Sequence, residues 1–115
     1  MAGTKRPPRM TPTYFHIMLA LASEEQHGYA IMGEVERRTG GSLALGPGSL
    51  YWALNRLVES ELIEETDERP AEGDDERRRY YRLTDEGRAV LQKETHILED
   101  IVAHAREQEV LGGKP

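Results

Sequence analysis

The chain has 115 residues, which suits one compact domain, and it contains no cysteine, so disulfides and thiolate metal sites are excluded. Its formal net charge of −6, taken alone, argues against a nucleic-acid partner, but positive charge is concentrated in residues 1–10 and in the run RRRYYR at 77–82 and can leave a basic face. No apolar run is long enough to cross a bilayer and the first residues lack the apolar segment of a secretory signal, so we expect a cytoplasmic protein without a membrane partner.

The first part of the chain predicts an arm and two helices. Residues 1–10 hold two prolines and no apolar period, which indicates a flexible basic arm. Thr11 is expected to cap a first helix over about 12–23, because Pro12 then takes its first position. A second helix is expected over about 28–39 and ends at a glycine pair, and the following SLAL segment is compatible with a brief strand.

The stretch GPGSLYWALNRL predicts a third helix over about 47–60, since Pro47 sets the backbone for a helix start. Helical spacing places an apolar stripe on one side: Leu50, Ala53, Leu54, Leu57 and Val58. The opposite side then carries polar and aromatic groups, with Tyr51 on the flank: Ser49, Trp52, Asn55 and Arg56.

The segments LIEET and RRYYRLT predict two strands of a hairpin, joined by the charged segment DERPAEGDDER. Alternation on the second strand turns Tyr81 and Leu83 towards the core and Tyr80 away from it. Thr84 is expected to cap a last helix that runs to about Gln108. That helix spans roughly 37 Å, more than this domain needs for its own core, so its apolar stripe predicts contact with a second chain.

The predicted order is helix, helix, short strand, helix, strand, loop, strand and long helix. This order is typical of a winged helix-turn-helix, a mainly α fold whose third helix enters the major groove of DNA. The predicted organisation is a DNA-binding domain over 11–83, a dimerisation helix over 84–109 and a disordered tail over 110–115.

Three segments in order and at this spacing resemble the PadR family of bacterial transcriptional regulators. They are HGYAIMGEVERRTGG, LGPGSLYWALNRLVESELIEE and RRRYYRLTDEGRAVL, and the similarity covers residues 11–92. The single helix after Ala89 is similar to the smaller branch of that family. The resemblance implies a homodimeric repressor that binds a partly palindromic operator and is released by a small molecule or a stress signal.

The resemblance also implies roles for individual residues. The predicted DNA contacts lie on the second helix, the third helix and the base of the wing: Tyr29, Ser49, Tyr51, Trp52, Asn55, Arg56, Arg77, Arg78 and Arg79. The predicted dimer contacts lie on the last helix and the first: Tyr14, Ile17, Val90, Leu91, Ile97, Leu98, Ile101, Val102 and Ala105. The wing is the hairpin, and its tip at residues 67–76 carries six acidic side chains and a single basic one, Arg69. Phosphate should repel this tip, which departs from a wing that inserts into DNA.

Several of the predicted DNA contacts have a plainer alternative. Arg56 either pairs with guanine or is solvated or paired with Glu59 or Ser60. Asn55 suits adenine, and Trp52 either reads a thymine methyl or is simply exposed. Ser49 either donates to phosphate or only caps its helix. The arginines at 77–79 either bind phosphate or are turned to solvent.

Other site chemistry is not predicted. His96 and His104 have no ligand cluster between them, so neither a metal site nor a cofactor is expected. Nucleophile and phosphate-loop motifs are absent, so we expect no enzyme. A pocket for a flat effector has to use Tyr14 and Phe15, because no aromatic residue follows Tyr81. The alternative function is a winged-helix module that docks a protein through Trp52 and the acidic wing.

Overall fold

The computed structural model describes residues 8–66 and 79–111, and these form four helices and a small antiparallel sheet. Residues 1–7 of the basic arm, the charged segment between the hairpin strands with Arg78, and residues 112–115 of the tail lie outside these ranges. The elements in chain order are α1 (Pro12–Leu21), β1 (Gln26–His27), α2 (Gly28–Arg38), α3 (Pro47–Glu59), β2 (Ile63–Thr66), β3 (Tyr80–Leu83) and α4 (Asp85–Glu107).

Local sequence signals set the ends of the first two helices as predicted. The Thr11 side chain accepts a hydrogen bond from the Tyr14 N–H at 3.4 Å, with Pro12 in the first turn. At the end of α2, Gly40 and Gly41 take positive φ angles of 62° and 86°. The Gly41 N–H then donates to the Glu36 carbonyl at 2.9 Å, which closes the helix with the six-to-one bond of a Schellman motif.

The short strand lies at a different place from the one the sequence favoured. The SLAL segment, residues 42–45, forms bends and irregular backbone, so its assignment as a brief strand was wrong. The strand instead precedes α2, where Gln26 pairs with Tyr81 and His27 with Tyr80. A two-residue strand carries no alternation that a sequence pattern reveals, and only β3 fixes it.

The sheet has the order β1-β3-β2, and both pairings are antiparallel. This order corrects the predicted orientation of Tyr80, which is buried rather than turned outward. His27 is paired directly with Tyr80 across β1 and β3, and their rings pack edge-on with centroids 5.3 Å apart. A two-stranded hairpin would leave this edge of β3 unpaired. Tyr81 is buried as predicted, and Leu83 packs against the core while partly exposed.

One apolar core joins the three helices of the first part to the sheet and the start of α4. It takes buried side chains from every helix, and Ile17, Met18, Ile31, Leu50, Leu54 and Leu57 have no exposed surface. The predicted inward stripe of α3 is therefore confirmed, with Val58 partly buried beside it.

The start of α4 is fixed to the turn between α3 and β2. The Thr84 hydroxyl caps α4 by accepting the Gly87 N–H at 2.9 Å, and it lies 2.8 Å from the Glu61 carbonyl oxygen. Gly87 approaches the turn so closely that a Cβ on it would collide with the Leu62 carbonyl. Beyond this anchor α4 leaves the core, since only Gly87 and Leu91 of its residues are buried.

Across both described ranges, no helix is at once long enough and apolar enough to span a membrane.

Candidate nucleic-acid interface

The outer face of α3 carries exposed polar and aromatic side chains. Ser49, Trp52, Asn55 and Arg56 are all exposed, as the predicted helix phase required. They lie opposite the buried stripe of the same helix, because positions three and four apart share a helix face. Trp52 is 62% exposed, the largest exposed fraction of any aromatic side chain described.

The first turn of α3 presents backbone donors without a side-chain cap. Gly46 is the N-cap, so it has no side chain to accept a hydrogen bond, and Pro47 follows in the first turn. Ser49 lies inside the helix and is not the cap, which removes the plainer reading of that residue. The N–H groups of a helix start point outwards and carry partial positive charge, and such a turn suits a phosphate oxygen.

Trp52 and Arg56 contact each other on this face. The guanidinium carbon of Arg56 lies 5.5 Å from the centroid of the Trp52 ring, within the range of a cation–π interaction. The two residues are four apart on α3, so one turn of helix brings them together. Arg56 is thus placed against an aromatic ring on its own helix. None of the alternatives predicted for Arg56 from the sequence included this contact.

Tyr51 connects α3 with α2. Its side chain is 36% exposed and lies against Gly28, where a Cβ would come within 2.8 Å of Tyr51 Cζ. Tyr29 follows Gly28 in the first turn of α2 and is 60% exposed. Two exposed tyrosines therefore lie where the start of α2 meets α3.

A polar network joins β1 and α2 to the end of α1. The buried side-chain amide of Gln26 donates to the Ala20 carbonyl at 2.8 Å and to Glu34 Oε1 at 3.0 Å. Glu34 also pairs with Arg38 one turn later. Burial raises the pKa of the Glu34 carboxyl, but the hydrogen bonds from Gln26 and Arg38, together with the positive charges of Arg38 and Arg37, outweigh it, so the pKa is lowered overall.

The wing contributes one described arginine from the predicted set. Arg79 pairs with Glu65 of β2 at 3.1 Å, and both side chains are exposed. Arg79 therefore lies in an ion pair across the hairpin, and its guanidinium is partly neutralised there. Arg77 and Arg78 lie outside the described residues.

The apolar stripe on α4 divides into a core part and a free part. Leu91 is buried in the core and Val90 packs against it. On α1, Tyr14 and Ile17 are buried in the same core, Ile17 completely. The prediction of Tyr14, Ile17 and Leu91 as dimer contacts is therefore corrected, because their side chains already pack within one chain. The rest of the stripe is exposed or half-buried: Ile97, Leu98, Ile101, Val102 and Ala105.

Two open clefts border the first helix. One, of about 660 Å³, lies between α1 and α3 and is walled by Tyr14 and Trp52. The other, of about 420 Å³, lies between α1 and α4 and is walled by Phe15 and Leu98. The two aromatic residues expected to line an effector pocket thus border different clefts.

The described residues contain no group of three or more histidine and acidic side chains placed to hold a metal ion. His96 lies 3.5 Å from Glu99, and His104 lies 3.8 Å from Glu107, each on an exposed turn of α4.

Comparison with known proteins places this fold and sequence in one family. Residues 17–93 match the profile of the family described as "Transcriptional regulator PadR-like family". A transcriptional regulator of Mycobacterium tuberculosis is 34% identical over 99 residues, which cover 86% of this chain and 82% of that protein. The chain belongs to the PadR-like family of transcriptional regulators. It is therefore a regulator rather than an enzyme, as the sequence predicted.

Other relatives of this PadR-like regulator differ in length and in how closely they match. An uncharacterized 37.1 kDa protein in a transposon of Streptomyces fradiae is 39% identical over 82 residues, but the matched part is only 21% of that protein. A PadR family transcription regulator from Clostridium difficile has a TM-score of 0.71 at 28% identity, covering 84% of this chain and 97% of that one. Bacillus subtilis PadR, solved with operator DNA, has a TM-score of 0.59 at 22% identity, covering 70% and 44%.

The structure gives reasons for two glycines of the motifs that the PadR-like resemblance rests on. Gly28 in HGY leaves room for Tyr51, and Gly87 in the LTDEG segment leaves room for the Leu62 carbonyl. The sequence reading assigned a role to Tyr29 alone in the first motif and overlooked both glycines. Gly87, within the predicted last helix, was an available signal, since glycine lowers helix propensity unless a close contact requires it. Gly28 is the first residue of α2 and gave no such signal.

Proposed function

We propose that this PadR-like regulator binds double-stranded DNA sequence-specifically, with α3 in the major groove. The observation that carries the proposal is the outer face of α3, where Ser49, Trp52, Asn55 and Arg56 are exposed together. Asparagine and arginine are the side chains that pair bidentately with adenine and guanine. Tyr29 and Tyr51 at the edge of this face, and the uncapped start of α3, are assigned to the phosphate backbone.

The regulator acts as a homodimer in this proposal, joined through the free part of the α4 stripe. Ile97, Leu98, Ile101 and Val102 are each more than 40% exposed, and an apolar surface of this kind is stabilised by a second copy. The two copies of α3 then lie about 34 Å apart, which matches successive major grooves and requires a partly palindromic operator.

Regulation follows the repressor pattern in this proposal: the dimer blocks transcription in the cytoplasm and a small molecule or stress signal releases it. The clefts beside Tyr14 and Phe15 are the places offered for such a ligand. The wing is assigned a minor role, because Arg79 is already paired with Glu65. Arg77 and Arg78, outside the described residues, remain phosphate candidates.

The test is a selection of duplexes from a pool of randomised DNA by the wild-type protein, followed by a binding titration with the best duplex. We expect the selected sequences to converge on an inverted repeat. We also expect the affinity to fall steeply as salt rises, because each phosphate contact releases counterions. A pool that does not converge, together with binding that ignores salt, would rule the proposal out.

The second candidate is a winged-helix module that binds a protein through the same face of α3, and it is favoured by the 62% exposure of Trp52. Exposed aromatic residues of this size are typical anchors of protein interfaces. The same titration separates the two candidates, since a protein-binding face enriches no DNA sequence.

A further inference from the structure

Trp52 does not belong to the apolar core that the other side of α3 packs against. The core side of the helix is filled by Leu50, Ala53 and Leu54, which are buried, whereas Trp52 is 62% exposed on the opposite side. Leaving so large an apolar side chain in water forgoes the free energy that burial would supply. Besides walling the cleft beside Tyr14, Trp52 has a further contact on the outer face of α3.

The contact is with Arg56. The guanidinium carbon of Arg56 lies 5.5 Å from the centre of the Trp52 ring. This distance is within the range in which the negative face of the ring attracts a guanidinium. The contact uses the charge of the guanidinium and none of its five N–H groups as donors to an oxygen, so donors remain for a base.

We propose that Trp52 is a positioning residue, which holds the Arg56 guanidinium in the orientation that reads one base pair. This inference rests on the proposed function. It makes the recognition of one base pair depend on two residues, Arg56 and Trp52. A free arginine samples many rotamers and loses that freedom when it binds. Contact with the indole removes part of this loss in advance, and exclusion of water by DNA strengthens the cation–π interaction.

A residue that orients Arg56 differs in its effects from a residue that contacts a base directly. A separate contact to a thymine methyl would make Trp52 specific for its own base pair. A positioning residue instead shares its base pair with Arg56, and its removal has no further effect once Arg56 is gone. The conservative replacement by phenylalanine keeps an aromatic face and should retain most of the effect.

The free protein offers a direct measurement, because Trp52 is the only tryptophan in the chain. We expect Arg56→Ala to change the emission and the iodide quenching of Trp52, while the circular dichroism spectrum and the thermal midpoint stay at wild-type values. Arg37→Ala removes an exposed arginine from α2 and serves as the matched control. If Trp52 emission and quenching respond alike to both substitutions, the contact in the free protein is disproved.

The decisive experiment uses the duplex selected by the wild type and the set of duplexes that differ from it by one base pair. Trp52→Ala should weaken binding roughly 5- to 30-fold and abolish the preference at the same base pair as Arg56→Ala. The double variant should bind as Arg56→Ala does, and Trp52→Phe should recover most of the wild-type selectivity. Additive losses, or a Trp52→Ala loss that is equal on all duplexes, would overturn the inference alone. A wild type that selects no duplex would overturn the proposed function and this inference together.

Discussion

The Tyr51 ring lies against Gly28, and this contact joins the two helices of the helix-turn-helix. A Cβ at residue 28 would come within 2.8 Å of Tyr51 Cζ and closer still to its hydroxyl, so the Tyr51 side chain can occupy this place only because residue 28 has no side chain. The contact joins the start of α2 to the flank of the proposed DNA-reading face.

Gly28→Ala should therefore destabilise the fold by about 1–3 kcal/mol, the usual cost of forcing an extra methyl group into a packed contact. Thermal unfolding followed by circular dichroism measures the change. Tyr51→Phe in the same chain should recover part of the loss, because it removes the hydroxyl that the new methyl meets first. Gly48→Ala is the control, since no atom lies within 4 Å of a Cβ there and its stability should be unchanged or slightly raised.

Gly87→Ala should destabilise the protein more than Gly28→Ala. A Cβ at residue 87 collides with the Leu62 carbonyl, and backbone yields less readily than a side chain. The expected loss is at the upper end of the range of about 1–3 kcal/mol or beyond it, measured by urea unfolding. Gly33→Ala on α2 is the control, because its nearest neighbour is the flexible end of Arg37 at 3.6 Å. Equal stability of Gly87→Ala and Gly33→Ala would show that α4 does not approach the turn this closely.

Ile101→Glu should separate the proposed dimer into single chains. Ile101 is 57% exposed in the free part of the α4 stripe, and a carboxylate there would lose its water on pairing with a second copy. Sedimentation equilibrium at several concentrations measures the mass. Ala103→Glu places the same charge on the exposed opposite side of α4 and should leave the dimer intact. A wild-type protein that sediments as one chain at all concentrations would contradict the dimer itself.

The network of Gln26, Glu34 and Arg38 predicts a pH dependence of stability. The pKa of Glu34 is lowered in the folded state despite the opposing effect of burial, through the hydrogen bonds from Gln26 and Arg38. Its contribution is therefore fully present above the unfolded-state pKa of about 4.3 and is lost as the pH falls through the folded-state value.

Wild type should consequently be more stable than Glu34→Gln at neutral pH, and the difference should shrink below pH of about 4. Free energies of unfolding in urea across this pH range measure it. Glu36→Gln changes an exposed carboxylate on the same helix and is the control. A difference between wild type and Glu34→Gln that does not vary with pH would show that the ionised carboxylate is not what stabilises the network.

The sequence predicted the parts of the fold that depend on local pattern. Thr11 and Thr84 cap their helices as expected, and the two sides of α3 divide as its helical period requires. These features need only a few neighbouring residues, so a single sequence contains them.

What the sequence did not predict depends on contacts between distant segments. The strand at Gln26–His27 exists through pairing with β3, and the burial of Tyr80 follows from that pairing. Ile17 and Leu91 satisfy a helical stripe equally well as core or as dimer residues, and only the packing of α1 against α4 decides between them. The contact between Trp52 and Arg56 is local, and four residues is the spacing that brings two side chains together on a helix. The sequence did not show how the two side chains are oriented, so the contact was not predicted.

The most direct test of the account compares wild type with an Asn55→Ala, Arg56→Ala double variant on the selected duplex across a series of salt concentrations. We expect the wild type to bind in a strongly salt-dependent manner. We expect the double variant to lose its sequence preference, with a loss of about 1–3 kcal/mol of discrimination for each base contact removed. Equal affinity and equal base preference of the two proteins would contradict the claim that the outer face of α3 reads DNA.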